Sequence, residues 1–308
     1  ESVLVGIRLD LLCSVYKLPA SPSILHFQSA LALQCFTNEY IYNQTDKETE
    51  LLEALAVAIE KKLSNDQQPS PQAILCLASY KALNEYKWFD LITVSTDIEE
   101  VFARQVREYK EESRLKANIP ILQKITNKVS SKVRAQYEEN PYPRWVNLKL
   151  SLRSQATPQL VKKLNLMIFD NAATDRPAPN ILIAGCGTGQ HSIETASRFK
   201  DCNVLAVDLS LSSLAYAKRK TGELGSKNIE YMQADILDLG NLNQKFDIIE
   251  SAGVLHHMED PIAGWRVLTD CLESGGLMKI GLYSELARQH IVKMREEISQ
   301  SRIGSSDN

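Results

Sequence analysis

Over the first 127 positions apolar residues recur at intervals of three and four, in "PSILHFQSALALQCFTNEYIY", "ETELLEALAVAIEKKL", "SPQAILCLASYKALNEY" and "DIEEVFARQVREYKEE". That spacing puts one apolar stripe along each helix. The breaks fall where Pro, Ser, Asn and Asp gather, as in "SNDQQPSPQ" at 64–72, because these residues favour turns over helix interiors. The pattern predicts an all-helical domain over 1–127.

From Asn180 the texture changes to alternation. "NILIAGC", "CNVLAVDL", "IEYMQAD", "FDIIESAG" and "GLMKIGLY" read as strands, and "GQHSIETASRFK", "LSSLAYAKRKTGEL" and "PIAGWRVLTDCLES" as helices between them. Strands apolar on both faces that alternate with helices predict a parallel sheet in a doubly wound α/β fold. This second domain spans 179–308. Between the two lies a connector, 128–178, which holds "QYEENPYPRWVNL" and, in "SLRSQATPQLVKKLNLMIFDN", one more helix. Prolines on both sides of Tyr142 restrict the backbone to an ordered, extended turn.

Composition narrows the partners. A formal charge of −3 over 308 residues gives no basic excess, so nucleic acid and anionic membrane surfaces are not expected as partners. Small molecules or proteins are. The six cysteines are scattered without a C-x-x-C pair or a histidine at ligand spacing, which predicts a reduced, cytoplasmic protein without a metal site. No apolar run is long enough to span a membrane. The start, "ESVLVGIRLDLL", shows no signal pattern and reads as a cut through something longer.

The chemistry is concentrated in "ILIAGCGTGQHS", residues 181–192. Glycines after a first strand let a ligand lie against bare backbone, and the helix that follows offers free N–H groups. A dinucleotide site needs G-x-G-x-x-G, but Gly185, Gly187 and Gly189 are spaced G-x-G-x-G and Gln190 takes the place of the third glycine. Pyrophosphate is therefore the poorer fit. Asp208, about 20 residues on at the end of the second strand, suits ribose hydroxyls. Asp235, ending the third strand, suits an adenine amino group.

These motifs, "ILIAGCGTG", "AVDLS", "ADILDL" and "FDIIESAGVLHHMEDP", resemble in order and spacing those of class I S-adenosylmethionine-dependent methyltransferases over residues 180–283. The resemblance implies a Rossmann-like methyltransferase sheet after the all-α domain. It implies S-adenosylmethionine as methyl donor and S-adenosylhomocysteine as product, held by Gly185, Cys186, Gly187, Gly189, His191, Asp208, Leu209, Asp235, Ile236 and Ser251. His256, His257 and Tyr283 are candidates for acid–base work, since a group titrating near neutrality can deprotonate an acceptor. "NPYP" at 140–143 looks like the Asn-Pro-Pro-Tyr motif of enzymes that methylate amide and base amino groups. That motif belongs after the fourth strand, where this chain has "SAGVLHH", so such acceptors are disfavoured.

The run "NPYPRW", with "ALALQCFTNEYIY" upstream, also resembles bacterial proteins that fuse tetratricopeptide-like helices to a methyltransferase. No clean period of about 34 residues can be laid over the helices, and a plain helical domain fits as well. Tyr137, Tyr142, Arg144 and Trp145 are expected to cap the pocket, with Tyr142 as a further catalytic candidate and Arg144 as a donor contact. A packed buttress between domains is the alternative. After the fifth strand only "SELARQHIVKMREEISQ" and the tail "SRIGSSDN" remain, so the sheet is expected to stop at five strands with an open edge and a possible homodimer there. The expected activity is methyl transfer to an unidentified acceptor, a protein or peptide presented by the helices or else a small molecule. The alternative is a donor-binding module without turnover.

Overall fold

The computed structural model describes every residue except 1, 18–20, 149, 152, 169, 171–173, 285 and 302–308. The expected polar tail over 302–308, and Leu152, Phe169, Asn171 and Glu285 of the expected helices, lie outside the described residues. The chain divides into two compact units, Glu1–Arg114 and Leu115–Asn308.

The first unit is helical, as the periodicity predicts. Helices α1 (Ser2–Ser14), α2 (Pro22–Thr37), α3 (Asp46–Ser64) and α4 (Pro71–Ala78) start at clear signals. Ser21 and Ser70 accept from the first turns of α2 and α4, and Thr45 with Glu48 makes a reciprocal capping box on α3, each satisfying a helix-end N–H. After two 3-10 turns come α5 (Glu99–Phe102), a π-helical turn at Ala103–Arg107 and α6 (Glu108–Lys116). The π turn carries the fully buried Gln105, whose amide accepts from Leu83 N at 3.0 Å and donates to Ala78 O at 3.1 Å. Leu52, Leu55, Ile59 and Leu63 of α3 lead one shared core. These four helices run 13, 16, 19 and 8 residues.

The second unit starts earlier than the expected division at 127/128. Ile119 is buried in its core, Gln233 N donates to Pro120 O at 2.8 Å, and Leu122 N donates to Gln233 O at 2.9 Å. This short pairing meets the third strand only at its last residue, Gln233, and three residues are too few for any hydrophobic period to announce.

Strands β1 (Asn180–Ala184), β2 (Asn203–Asp208), β3 (Ile229–Gln233), β4 (Phe246–Ala252) and β5 (Leu272–Gly281) form one parallel sheet in the order β3-β2-β1-β4-β5. Helices α7 (Lys128–Glu139) and α8 (Thr157–Lys163) precede it. Helices α9 (Gln190–Arg198), α10 (Leu211–Glu223) and α11 (Pro261–Asp270) connect strands, and α12 (Gln289–Gln300) follows. In β1, Ile181 and Ile183 pack with α9 and α10, while Leu182 and Ala184 face Leu239 and Leu268. All four are fully buried, which explains a strand with no polar face. The chain winds from β1 out to β3 and then crosses to β4, so a crevice opens at the carboxyl ends of β1 and β4.

Three expectations need correction. The helix expected over "PIAGWRVLTDCLES" ends at Asp270, and Leu272 already pairs with Phe246. A register shift absorbs Gly275 and Gly276 before Leu277 pairs with Ile248, so the glycines mark an irregularity inside the strand. The helix expected after Ser151 shrinks to Thr157–Lys163. The strand expected over "GLMKIGLY" starts earlier, at Leu272, and ends at Gly281.

Candidate functional site

Where β1 ends, the backbone turns through Gly185 at φ +77° and Gly187 at φ +52°. A Cβ on Gly185 would sit 2.3 Å from Val254 Cγ2, so the loop after β4 can close over this position only if it is bare. A Cβ on Gly187 would meet nothing nearer than Tyr142 O at 3.8 Å and would project into open space. Both glycines line a cavity of about 270 Å³. Gly189 does not line it. It begins α9 at φ +85°, and its missing Cβ would lie 2.5 Å from Ala217 Cβ, so its role is helix packing.

Two carboxylates face the same cavity. Asp208, ending β2, accepts from Gly187 N at 2.8 Å and from Ser210 N at 2.9 Å. Burial raises its pKa above the ordinary aspartate value, against the pull of those backbone donors. Asp235 follows β3 and accepts from Leu237 N at 3.0 Å, and it stands with Leu209 and Ile236 on the wall. No Lys or Arg is among the described residues lining the cavity.

The roof comes from the connector. Asn127 caps α7 by accepting from Val129 N and Ser130 N, and Val129, Ser130, Val133 and Tyr137 on one face of α7 line the cavity. The end of α7 is fastened to the start of α10. Ser210 Oγ lies 2.9 Å from Tyr137 O, and Glu138 accepts from Ser212 N at 3.1 Å and pairs with Lys116 at 2.5 Å. Beyond α7, Tyr142 and Pro143 complete the roof. Trp145, 9% exposed, donates from Nε1 to Thr188 O at 3.0 Å, and Thr188 Oγ1 donates to Pro143 O at 2.8 Å. Tyr216 Oη donates to Trp145 O at 2.5 Å. Of the residues expected to cap the pocket, Tyr137 and Tyr142 line the cavity, Trp145 bonds to the glycine loop, and Arg144 is not among the described lining residues. Trp145→Phe keeps the ring but deletes the donor to Thr188. Titration calorimetry is expected to show donor binding weakened about fivefold, the loss of about one hydrogen bond, with the fold intact.

The remaining candidates divide. His257 lines the cavity and is exposed. His256 does not line it. Its ring stacks 4.1 Å from His257 and 4.0 Å from Tyr283, and burial, then His257 and Arg288, lower its pKa and keep it neutral. Tyr283 stays exposed beneath the Arg288 guanidinium, which lies 3.9 Å over its ring. Cys186 and Ser251 point away from the cavity and are 5% and 1% exposed, and burial pushes the Cys186 thiol up. Cys186 sits between Gly185 and Gly187, and Ser251 beside Ala252, all three of which line the cavity.

His191 also stands off the cavity, on α9, where Nε2 meets Glu250 Oε2 of β4 at 2.5 Å. Thr195 and Arg198 bond the same carboxylate at 3.0 and 3.2 Å. Burial alone would raise the Glu250 pKa, but the bond from His191 and the charges of Arg198, His191 and Lys279 bring it down to about 2. A carboxyl depressed on folding contributes stability that is complete above the ordinary value of 4.5 and is lost as pH falls toward about 2. Glu250→Gln is expected to destabilise the unit at neutral pH, since the amide gives Arg198 and Lys279 no opposite charge, and to flatten stability between pH 4.5 and 2 in acid-unfolding curves.

Sequence reasoning missed Val129, Ser130 and Val133 on α7, and Ser213 and Met258, which also line the cavity. The signal was present in Asn127 followed by Val129, Val133 and Tyr137 at helical spacing.

Residues 181–276 match the family model described as a methyltransferase domain. An uncharacterized protein of Synechococcus is 37% identical over 122 residues, 39% of this chain and 29% of that protein. Phosphoethanolamine N-methyltransferase 1 of Arabidopsis thaliana is 27% identical over 146 residues, 47% of this chain and 28% of that protein. The chain thus spans under a third of the length of these two relatives. A solved Rickettsia typhi protein, PKMT2 in complex with AdoHcy, is similar at 26% identity over 42% of this chain and 26% of that one, with a TM-score of 0.36. Residues 181–276 thus resemble a methyltransferase domain, and they carry the parallel sheet of order β3-β2-β1-β4-β5 from β1 into β5.

Proposed function

We propose that this chain transfers a methyl group from S-adenosylmethionine to an acceptor admitted beside the α7 roof. The observation that carries the reading is the charge of the cavity: two carboxylates line it and, among the described lining residues, no Lys or Arg does. A sulfonium compound is matched by such a wall, whereas a dinucleotide's two phosphates would meet like charge without a cation. Asp208 suits the ribose hydroxyls, Asp235 and the Ile236 backbone suit the adenine, and the bare backbone of Gly185 and Gly187 suits the methionine part. The donor supplies a methyl group already activated by its positive sulfur. What remains for the protein is to align the nucleophile and exclude water, which the roof of Val129, Val133, Tyr137 and Tyr142 does. His257 is the imidazole on the wall and the candidate to take an acceptor's proton.

The acceptor reaches the site either free or as part of a protein or peptide recruited by the helical unit. The test is incubation of the protein with methyl-labelled S-adenosylmethionine and a cell extract. Label in protein or small molecules, lost in Asp208→Ala, supports the reading. Donor binding without any transfer supports the alternative of a non-catalytic module. No helix of the described residues is long and apolar enough to cross a membrane, and all six cysteines are free thiols. Among the described residues β5 is the outermost strand on its side of the sheet, and we propose that a second copy of the chain pairs there. Light scattering that finds a monomer across a wide concentration range overturns that.

A further inference from the structure

We propose that the acceptor is an aliphatic amine, received at the cavity mouth by an aromatic wall of Tyr137, Tyr142, His257, His256 and Tyr283. The inference rests on the methyltransferase reading and names its substrate class. Tyr137, Tyr142 and His257 line the cavity itself. From His257 the rings continue outward without a gap, through His256 at 4.1 Å to Tyr283 at a further 4.0 Å. Tyr142 and Tyr283 are 66% and 58% exposed, so large ring faces stand open where an acceptor must enter. The three phenols share one neighbourhood: burial, then Asp208, Tyr283 and Tyr142, raise the pKa of Tyr137.

Ring faces attract cations, and a rim of several faces is the usual receptor for methylated ammonium groups. This rim already stacks one cation, Arg288 over Tyr283 at 3.9 Å, which leaves Tyr137 and Tyr142 for a ligand. The inner wall points the same way. A carboxylate or phosphate acceptor would approach Asp208 and Asp235 with no lining Lys or Arg to receive it. An ammonium avoids that repulsion and is the form the ring faces receive. It first gives one proton to His257 or to water, which frees the nitrogen lone pair. That lone pair then forms the new N–C bond as the methyl–sulfur bond breaks with its electron pair left on sulfur, and the positive charge passes from sulfur to nitrogen.

The test uses the full chain loaded with S-adenosylhomocysteine and ligand-observed NMR with tetramethylammonium and its neutral isostere, tert-butanol. Tetramethylammonium is expected to bind about tenfold more tightly than the alcohol, and Tyr137→Ala and Tyr142→Ala are expected to erase most of that preference. Equal binding of the two probes while S-adenosylhomocysteine binds overturns the amine reading and leaves the donor site standing. Failure of S-adenosylhomocysteine to bind overturns both. If the two variants instead weaken S-adenosylmethionine much more than S-adenosylhomocysteine, the wall serves the donor's sulfonium and the proposal falls. With labelled donor, butylamine and acetyl-lysine amide as acceptors then distinguish a free amine from a protein side chain.

Discussion

Gly185→Ala is expected to destabilise the second unit strongly, costing about 3 kcal/mol or more. The added methyl group would lie 2.3 Å from Val254 Cγ2 at φ +77°, so overpacking of about 1–3 kcal/mol adds to left-handed backbone strain of about 1–2 kcal/mol. Against a net stability of about 5–15 kcal/mol, the shift in urea midpoint should be plain. Two controls give the effect its mechanism. Val254→Ala in the same chain should recover part of the loss, because it removes the atoms the new methyl strikes. Gly187→Ala meets no atom within 3.4 Å, so it should cost only about 1 kcal/mol of strain yet weaken donor binding about tenfold or more by projecting into the cavity. Equal destabilisation by the two alanines would mean that Val254 does not close on the loop as described.

Asp208→Ala is expected to weaken S-adenosylhomocysteine binding by about 100-fold. The carboxylate would lose its bonds to a ligand's hydroxyls, each charge-assisted bond being worth about 1.5–3 kcal/mol. It also holds Gly187 N and Ser210 N, and so keeps the floor of the site in shape. Stability should respond in the opposite sense. A carboxyl whose pKa is raised by burial opposes folding at pH values above its ordinary range, so the neutral isostere Asp208→Asn should melt within a few degrees of the parent while binding falls. That split between stability and binding marks a group placed for a ligand, and a large drop in Tm for Asp208→Asn would contradict it.

The parts of this fold that the sequence displays are those where one pattern serves one purpose. β1 is apolar at every position because helices cover both its faces, and Gly185, Gly187, Asp208, Leu209, Asp235 and Ile236 fall at strand ends that point into one crevice. Spacing does not reveal direction, so Gly189, Cys186, Ser251 and His191 were grouped with the ligand though they face α10, the core or Glu250. Helix α7 escaped notice for a different reason. Its inner face covers a cavity rather than a core, so Val129, Val133 and Tyr137 make too narrow a stripe in an otherwise polar run. The pairing of Leu122 with Gln233 depends on backbone alone and leaves no mark in side-chain pattern. The start of β5 was hidden because Cys271 and Leu272 continue the helical period of α11, and only Gly275 and Gly276 show that the backbone has changed course.

The central claim is that the cavity between the glycine loop, Asp208, Asp235 and the α7 roof holds S-adenosylmethionine and its product. Titration calorimetry of the whole chain against S-adenosylhomocysteine, with NAD as comparison, tests it most directly. The account predicts one site of micromolar affinity for S-adenosylhomocysteine, weakened about 100-fold by Asp208→Ala, and no heat with NAD. Binding of NAD, or absence of S-adenosylhomocysteine binding by a folded protein, would contradict it.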